Sequence, residues 1–166
     1  GEYRKQETHL IPLVLQIPNG LRDKIYVFGD DYPTDDGSCI RDYIHVTDIA
    51  NAHLLALDYL NGTLQRNKNQ QSSEKSIPTS QVMNLGTGRG ESVLDIIRVS
   101  RKVSGHKIPA EVSERRSGDP ARLIASPKRA FSVLGWKATH SSIDEIIASA
   151  WKFHKSHKHG WNSDKN

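Results

Sequence analysis

Two arginines, Arg41 and Arg116, lie in short segments that are dense in charged and turn-forming residues, 39–46 and 115–121. A diphosphate is best bound by permanent cations held in a fork, and a guanidinium group suits this better than an ammonium group. Both arginines are therefore candidates to bind a diphosphate. From the residues alone, an ordinary surface ion pair between Arg41 and Asp42 is the simpler explanation of Arg41.

Other groupings of reactive side chains give weaker signals. Cys39 and His45 could form a nucleophile pair, but six residues across a predicted loop and strand give no reason to expect contact. His154, His157 and His159 could bind a metal, but a lysine-rich helix end offers them neither a carboxylate nor a dry shell. We therefore expect no metal site.

The glycine-rich turn 86–90 has the sequence Gly-Thr-Gly-Arg-Gly and lies between a predicted strand and a predicted helix. A strand, a Gly-x-Gly turn and a helix open a dinucleotide-binding fingerprint. The third glycine, however, follows after one residue instead of two, and residues 104–110, about twenty positions on, contain no carboxylate. We expect this turn to connect two elements without binding NAD.

Three segments before residue 39 have clear patterns. A proline-containing apolar stretch over 9–18 predicts a short helix, and the β-branched and aromatic run 25–28 predicts a strand. The Gly, Asp and Pro residues of 29–38 predict a loop.

The middle of the chain alternates extended and helical patterns. Residues 43–46 look extended, and Thr47 can cap a helix over 48–60, where apolar residues recur at helical spacing. The polar segment 61–81 predicts a flexible surface loop. A short strand is predicted over 81–85.

Three helices are predicted after the glycine-rich turn. Ser92 with Asp95, and Ser142 with Glu145, form capping boxes that begin two of them. The last helix has an apolar stripe typical of core packing, formed by Ile143, Ile146, Ile147, Ala150 and Trp151.

The second of these helices in chain order opens at Ser126-Pro127, in the preferred order of a cap followed by proline, and ends at Gly135. The chain shows no internal repeat. We expect one mixed α/β domain over residues 1–160, with 161–166 as a tail.

Composition and charge limit the partners. With 36% hydrophobic and 25% charged residues the chain is typical of a globular protein, and no apolar run approaches the length that crosses a bilayer. Most of the net charge of +4 lies in 151–166, which predicts a solvated end and no nucleic-acid partner. The single cysteine permits no internal disulfide, which fits a cytoplasmic location.

Three runs carry a resemblance to a known family: Phe28-Gly29-Asp30-Asp31-Tyr32-Pro33-Thr34, the run 39–46 and the run 115–121. They resemble the substrate-domain motifs of UDP-glucose 4-epimerases, in the extended short-chain dehydrogenase/reductase family, and the resemblance extends from Thr8 to Trp151. The family places a glycine-rich NAD motif and a Tyr-x-x-x-Lys catalytic pair upstream of these motifs. This chain has no such pair, since the residues four positions after its tyrosines are Glu7, Asp30, Asp36, Thr47 and Thr63.

The resemblance implies a fold and a set of ligand contacts. The fold is the C-terminal substrate-binding domain of the family, with elements that would join the parallel sheet of an N-terminal NAD-binding domain. The positions matching Arg41 and Arg116 contact the diphosphate of a UDP-sugar, and the position matching Asp119 binds the uridine ribose. The uracil slot is formed by three strand residues, Tyr26, Val27 and Phe28.

Four further positions lie near the nucleotide in the family. His9 and Leu10 precede its Ile-Pro pair, Tyr43 lies on its Arg-Asp-Tyr-Ile-His pattern, and Val93 opens the segment after the glycine-rich turn. Structural alternatives remain for some of them: Phe28 could simply pack a sheet, Tyr43 could be a buried tyrosine, and Val93 could be a core valine.

The resemblance also implies an activity. The intact enzyme would interconvert UDP-glucose and UDP-galactose in galactose metabolism, with NAD performing the redox step. We expect the chain alone to be inactive, to bind a UDP-sugar and to need an N-terminal NAD-binding half in the same or another chain. Members of the family are often homodimeric. The alternatives are a non-catalytic nucleotide-sugar-binding module, or part of a related nucleotide-sugar epimerase or dehydratase.

Overall fold

The computed structural model describes residues 6–62 and 80–158. Within these ranges the elements follow in the order α1 Leu10–Gln16, β1 Ile25–Phe28, β2 Ile40–Arg41, α2 Val46–Leu60, β3 Glu91–Ser92, α3 Val93–Ser104, β4 Ala110–Ser113, β5 Arg122–Leu123, α4 Lys128–Leu134 and α5 Ile143–Ser156. None of these helices combines the length and apolar character needed to cross a membrane.

The chain divides into two compact units. The first unit is formed by Gly1–Arg41, Gly90–Leu123 and Ser142–Asn166, and the second by Asp42–Arg89 and Ile124–Ser141. Each unit has a hydrophobic cluster of its own.

The first unit is built on a parallel pair of strands, β1 and β4, in the register Ile25↔Ala110 to Phe28↔Ser113. The helices α1, α3 and α5 pack against one another in the same unit. A cluster of buried side chains from α1, β1, α3 and the segment before β4 is formed by Val14, Ile25, Val27, Ile97 and Ile108.

A second, smaller sheet of the first unit has the strand order β3-β2-β5. Its central strand β2 pairs antiparallel with β3 and parallel with β5. The segment from β4 to β5 therefore runs from the edge of one sheet to the edge of the other.

The second unit packs α2 against α4. Its buried cluster is formed by Ala52, Ala130, Leu134 and Trp136. The indole Nε1 of Trp136 donates to the backbone oxygen of Asp48 at 2.9 Å, which fixes α2 to the segment after α4.

The carboxylate of Asp48 is the polar centre of the second unit. Only 1% of Asp48 is exposed, and its oxygens accept hydrogen bonds from the backbone N–H groups of Thr139 and His140 and from the Ser141 hydroxyl. Burial by itself raises the pKa of Asp48, but the hydrogen bonds from Ser141, Thr139 and His140 outweigh it and hold the pKa below its usual value.

Several predictions that depend on local sequence are confirmed. The helix within 9–18 and the strand 25–28 are present, and the hydroxyls of Ser92 and Ser142 accept from the N–H groups three residues later. Gly135 ends α4 in the left-handed region, with φ 68°.

Two predicted caps are wrong by one or two residues. The helix α2 begins at Val46, so Thr47 lies inside it and His45 is the N-cap, with Nδ1 accepting from the N–H of Thr47 at 3.1 Å. Residues 43–45 are not part of a strand. The helix α4 begins at Lys128 with Pro127 as its N-cap, so Ser126 does not cap it.

The predicted strand 81–85 is absent, although Met83 and Leu85 pack on the cluster of the second unit. A strand needs a neighbour for its backbone groups, and no described residue pairs with this segment. Most of the predicted loop 61–81 and all of the tail 161–166 lie outside the described residues.

Candidate functional site

The side chains of the strand β1 alternate between the core and the surface. Ile25 and Val27 turn into the core, whereas Tyr26 is exposed and Phe28 is half-buried at the last position of the strand. Because the side chain of Val27 is buried, only its backbone can face a ligand. Phe28 is thus the residue of β1 that presents a ring at the carboxyl end of the strand.

Arg116 stacks on that ring. The central guanidinium carbon of Arg116 lies 3.8 Å from the centroid of the Phe28 ring. A guanidinium group that stacks through its face keeps its N–H donors at the edge, where they can reach a phosphate. Two residues that were predicted from separate segments therefore meet in one wall of the site.

The neighbouring Arg115 holds the same segment against the loop that follows β1. Its Nε donates to the carboxylate of Asp31, and its guanidinium lies 4.1 Å from the centroid of the Tyr32 ring. Gly29 permits this approach, because a Cβ there would lie 2.6 Å from Cγ of Arg115, and φ is +87°. This clamp is not predicted from the sequence, where its signal is an acidic residue beside an aromatic one in the first motif and a second arginine in the 115–121 segment.

Arg41 lies at the end of β2 and reaches the same 115–121 segment. Its Nη1 donates to the backbone oxygen of Pro120 at 2.8 Å, and its Nη2 is 3.4 Å from Oδ1 of Asp119. The two side chains remain 23% and 34% exposed. A guanidinium group has five N–H donors, so these contacts leave donors and carboxylate lone pairs for a ligand.

Asp119 and Arg116 belong to one turn, since the N–H of Asp119 donates to the backbone oxygen of Arg116 at 3.3 Å. The first unit therefore joins Phe28 to Arg116, Arg116 to Asp119, and Asp119 to Arg41.

The simpler explanation of Arg41, an ion pair with Asp42, is wrong. The ion pair of Arg41 is formed with Asp119. The carboxylate of Asp42 accepts hydrogen bonds from the N–H groups of Thr87, Gly88 and Ala125 and from the Thr87 hydroxyl.

The glycine-rich turn 86–90 thus serves the second unit as a carboxylate-binding turn. Its N–H groups at Thr87 and Gly88 are occupied by Asp42, and a Cβ at Gly86 would lie 2.6 Å from Oδ2 of Asp42. A dinucleotide fingerprint needs such N–H groups free for the pyrophosphate. The described turn does not fit NAD.

The loop between Phe28 and Arg41 is anchored by Asp36. Its carboxylate accepts from the N–H and hydroxyl of Ser38 at 2.9 and 2.8 Å, and from the hydroxyl of Ser92. Burial by itself raises the pKa of Asp36, but the hydrogen bonds from Ser92 and Ser38 outweigh it and lower the pKa. This anchor ties the loop to the N-terminus of α3.

The remaining predicted positions have mixed surroundings. Leu10 and Val93 pack on the core cluster of the first unit, which is the structural alternative for Val93. His9 is the N-cap of α1, with Nδ1 3.0 Å from the Glu7 carboxylate. Tyr43 belongs to the second unit. The ligand contacts of all these residues stay predictions.

Within residues 6–62 and 80–158, no group of three His, Cys, Asp or Glu side chains is placed to hold a metal ion. His159, one of the three histidines considered, lies outside the described residues.

Known proteins resemble this chain over nearly its whole length. The family model described as GDP-mannose 4,6 dehydratase matches residues 1–150. This chain belongs to the GDP-mannose 4,6 dehydratase family. A curated UDP-glucose 4-epimerase of Halalkalibacterium halodurans is 49% identical over 164 residues, which are 99% of this chain and 45% of that protein. The chain thus spans less than half the length of the curated relatives that it matches.

Solved structures agree. A crystal structure of a UDP-glucose 4-epimerase superposes with a TM-score of 0.86 at 46% identity, over 98% of this chain and 45% of that chain. The UDP-glucose 4-epimerase of Bifidobacterium longum, solved in complex with NAD+ and UDP, has a TM-score of 0.81 at 36% identity, over 97% and 44% of the two chains. The predicted resemblance to epimerases and the mixed α/β class are confirmed.

Proposed function

We propose that this chain is the UDP-binding, C-terminal part of a UDP-glucose 4-epimerase. The observation that carries the proposal is the contact between its two charged segments, in which Arg41 meets Asp119 and Pro120. The identity of 49% to a UDP-glucose 4-epimerase, and the UDP bound in a solved relative, support uridine diphosphate as the ligand.

The chemistry of these side chains fits each portion of the ligand. Arg41 and Arg116 keep N–H donors that can bind the oxygens of a diphosphate, and such charge-assisted hydrogen bonds are the strong ones. The carboxylate of Asp119 can accept from the two vicinal hydroxyls of a ribose. Phe28, with the backbone of Tyr26 and Val27, offers the uracil ring an apolar edge.

The whole enzyme would interconvert UDP-glucose and UDP-galactose, with NAD as its cofactor. We place NAD on the part of the enzyme that this chain does not contain, because the N–H groups of the glycine-rich turn are bonded to Asp42. A cytoplasmic location and a homodimeric whole enzyme stay predictions.

Calorimetric titration of the chain with UDP tests the proposal. We expect binding that weakens at least tenfold in Arg41→Ala and in Arg116→Ala, because losing one partner of a desolvated charge contact costs about 2–5 kcal/mol. Arg98→Ala is the matched control, since this arginine is exposed and paired with Asp95 on α3, and it should leave the affinity unchanged. Equal affinity in all four proteins would assign Arg41 and Arg116 to the surface.

A second measurement separates binding from catalysis. Incubated with UDP-galactose and NAD, the purified chain should form no UDP-glucose above a heat-killed control, because it has no Tyr-x-x-x-Lys pair to serve as a base. Turnover by the chain alone would overturn the assignment to a non-catalytic part.

A further inference from the structure

The sequence contains two asparagines that are followed by glycine, Asn19 and Asn61. Such a pair is chemically labile, because the backbone nitrogen of the glycine can attack the side-chain amide of the asparagine without hindrance from a side chain of its own. The structure places the two pairs in opposite surroundings. Only 8% of Asn19 is exposed, whereas Asn61 and Gly62 are both exposed at the C-terminal end of α2.

Asn19 is held in place by α5. Its Nδ2 donates to the backbone oxygen of His154 at 3.0 Å, and the N–H of Gly20 donates to the backbone oxygen of Ile17 at 2.9 Å. Both the amide that would leave and the nitrogen that would attack are therefore bonded. Reaction at Asn19 needs a local opening of the fold, and its rate is lowered because the opened state is rarely populated.

Asn61 lies where the backbone has room to turn. It is the C-cap of α2, and the N–H of Gly62 donates to the backbone oxygen of Tyr59 at 3.2 Å in the last turn. Among the described residues, a Cβ added at Gly62 would meet no heavy atom within 4 Å. Since the last turn of a helix frays easily, the nitrogen of Gly62 can approach the Asn61 side chain while the core stays folded.

We propose that Asn61 is a modification site, at which the folded chain deamidates spontaneously and forms isoaspartate. The nitrogen of Gly62 forms a bond to Cγ of Asn61, its proton passes to solvent, and Nδ2 leaves as ammonia. Water then opens the resulting succinimide ring at either carbonyl, which gives aspartate or isoaspartate. The net change replaces an amide by a carboxylate and consumes a water molecule, so that it needs no oxidant, reductant or enzyme.

The product changes the end of α2 in charge and in length. The backbone carbonyls at the C-terminal end of a helix carry partial negative charge, so a carboxylate at position 61 is unfavourable there. Asp58, three residues earlier, adds a like charge on the same helix face. Isoaspartate also lengthens the main chain by a methylene group, which moves the N–H of Gly62 away from Tyr59. The modification therefore loosens the last turn of α2.

Ageing of the full chain in mildly alkaline buffer made with heavy-oxygen water tests the proposal, with peptide mass spectrometry as the readout. The heavy oxygen marks each carboxylate that forms during the incubation. We expect Asn61 to convert at least about tenfold faster than Asn19, because Asn19 reacts only from an opened state. Asn84 is the matched control for exposure, since it is exposed but is followed by Leu85, and it should stay unconverted. Part of the product at position 61 should accept a methyl group from a carboxyl methyltransferase that recognises isoaspartate.

Repeating the incubation in urea separates the effect of the fold from that of the sequence. In the unfolded chain Asn19 and Asn61 should convert at similar rates, because both are then followed by an unhindered glycine. A slow Asn19 in urea would overturn the proposal, and so would equal rates at the two sites in the folded chain. Conversion of Asn61 no faster than that of Asn84, or a product without isoaspartate, would overturn it as well. The assay contains no nucleotide, so its outcome is independent of UDP binding.

Discussion

The two units differ in the burial and hydrogen bonding of one aspartate each, Asp48 in the second unit and Asp119 in the first. Asp48 of the second unit is 1% exposed and its carboxylate is bonded by neighbouring N–H and O–H donors, whereas Asp119 of the first unit is 34% exposed in its side chain and has one long contact to Arg41. A carboxylate whose lone pairs are filled by the protein stabilises the fold and has nothing left for a ligand. One that is partly filled can bind a ligand and contributes little to stability.

The largest expected effect is on the buried aspartate. Asp48→Ala leaves the N–H groups of Thr139 and His140 without an acceptor, so the free energy of unfolding should fall by about 3 kcal/mol or more. Urea unfolding followed by circular dichroism measures this. Asn51→Ala, an exposed change on the same helix, is the control. If Asp48→Ala lowers the free energy of unfolding no more than the control does, Asp48 does not stabilise the fold more than Asp119 does.

The pH dependence of unfolding tests whether the hydrogen bonds to Asp48 favour its ionised form. The folded-state pKa of Asp48 lies below its usual value of 3.8, so its stabilisation is present above that pH and is lost as the pH falls through the lower, folded-state pKa. Urea midpoints measured at a series of pH values should therefore drop below about pH 4. The drop should be shallower in Asp48→Asn. An identical slope in the variant would show that these hydrogen bonds do not favour the ionised form.

The smallest expected effect on stability is at the half-exposed aspartate. Asp119→Ala should change the free energy of unfolding by less than about 1 kcal/mol, because partly exposed ion pairs contribute little. The same variant should bind UDP at least tenfold more weakly in calorimetry. Lys102→Ala, which breaks an exposed pair with Asp144, should leave both the unfolding midpoint and UDP binding unchanged. Strong destabilisation by Asp119→Ala would give this residue a structural role.

Features set by neighbouring residues were predictable from the sequence. Ser92, Ser142 and Gly135 act within one turn of the chain, so their positions alone predict the helix ends. Thr47 was misassigned because His45, two residues earlier, supplies a ring nitrogen that accepts the same kind of hydrogen bond.

Features set by distant residues were not predictable in this way. The nearest opposite charge to Arg41 in sequence is Asp42, yet Asp42 is bonded to Thr87 and Arg41 is paired with Asp119. The segment 81–85 has the pattern of a strand, but a strand also depends on a neighbour that its own residues do not specify. For the site, the resemblance of two motifs to a known family identified Phe28, Arg116 and Asp119 as candidates. The structure added the contacts among them.

The order in which the site can form follows from the segment that joins the two sheets. Arg41 bonds to Pro120, 79 positions away in sequence. The strand β1, at 25–28, likewise pairs with the distant strand β4, at 110–113. Closing a loop of that length costs conformational entropy before the contact can stabilise the chain. Contacts of this kind therefore form late and slowly during folding. On a ribosome, Phe28 and Arg41 would emerge long before their partners. The helices α1 and α2 are complete by then, and the proposed UDP-binding surface is completed only when β4 and β5 have been synthesised and have added to their sheets.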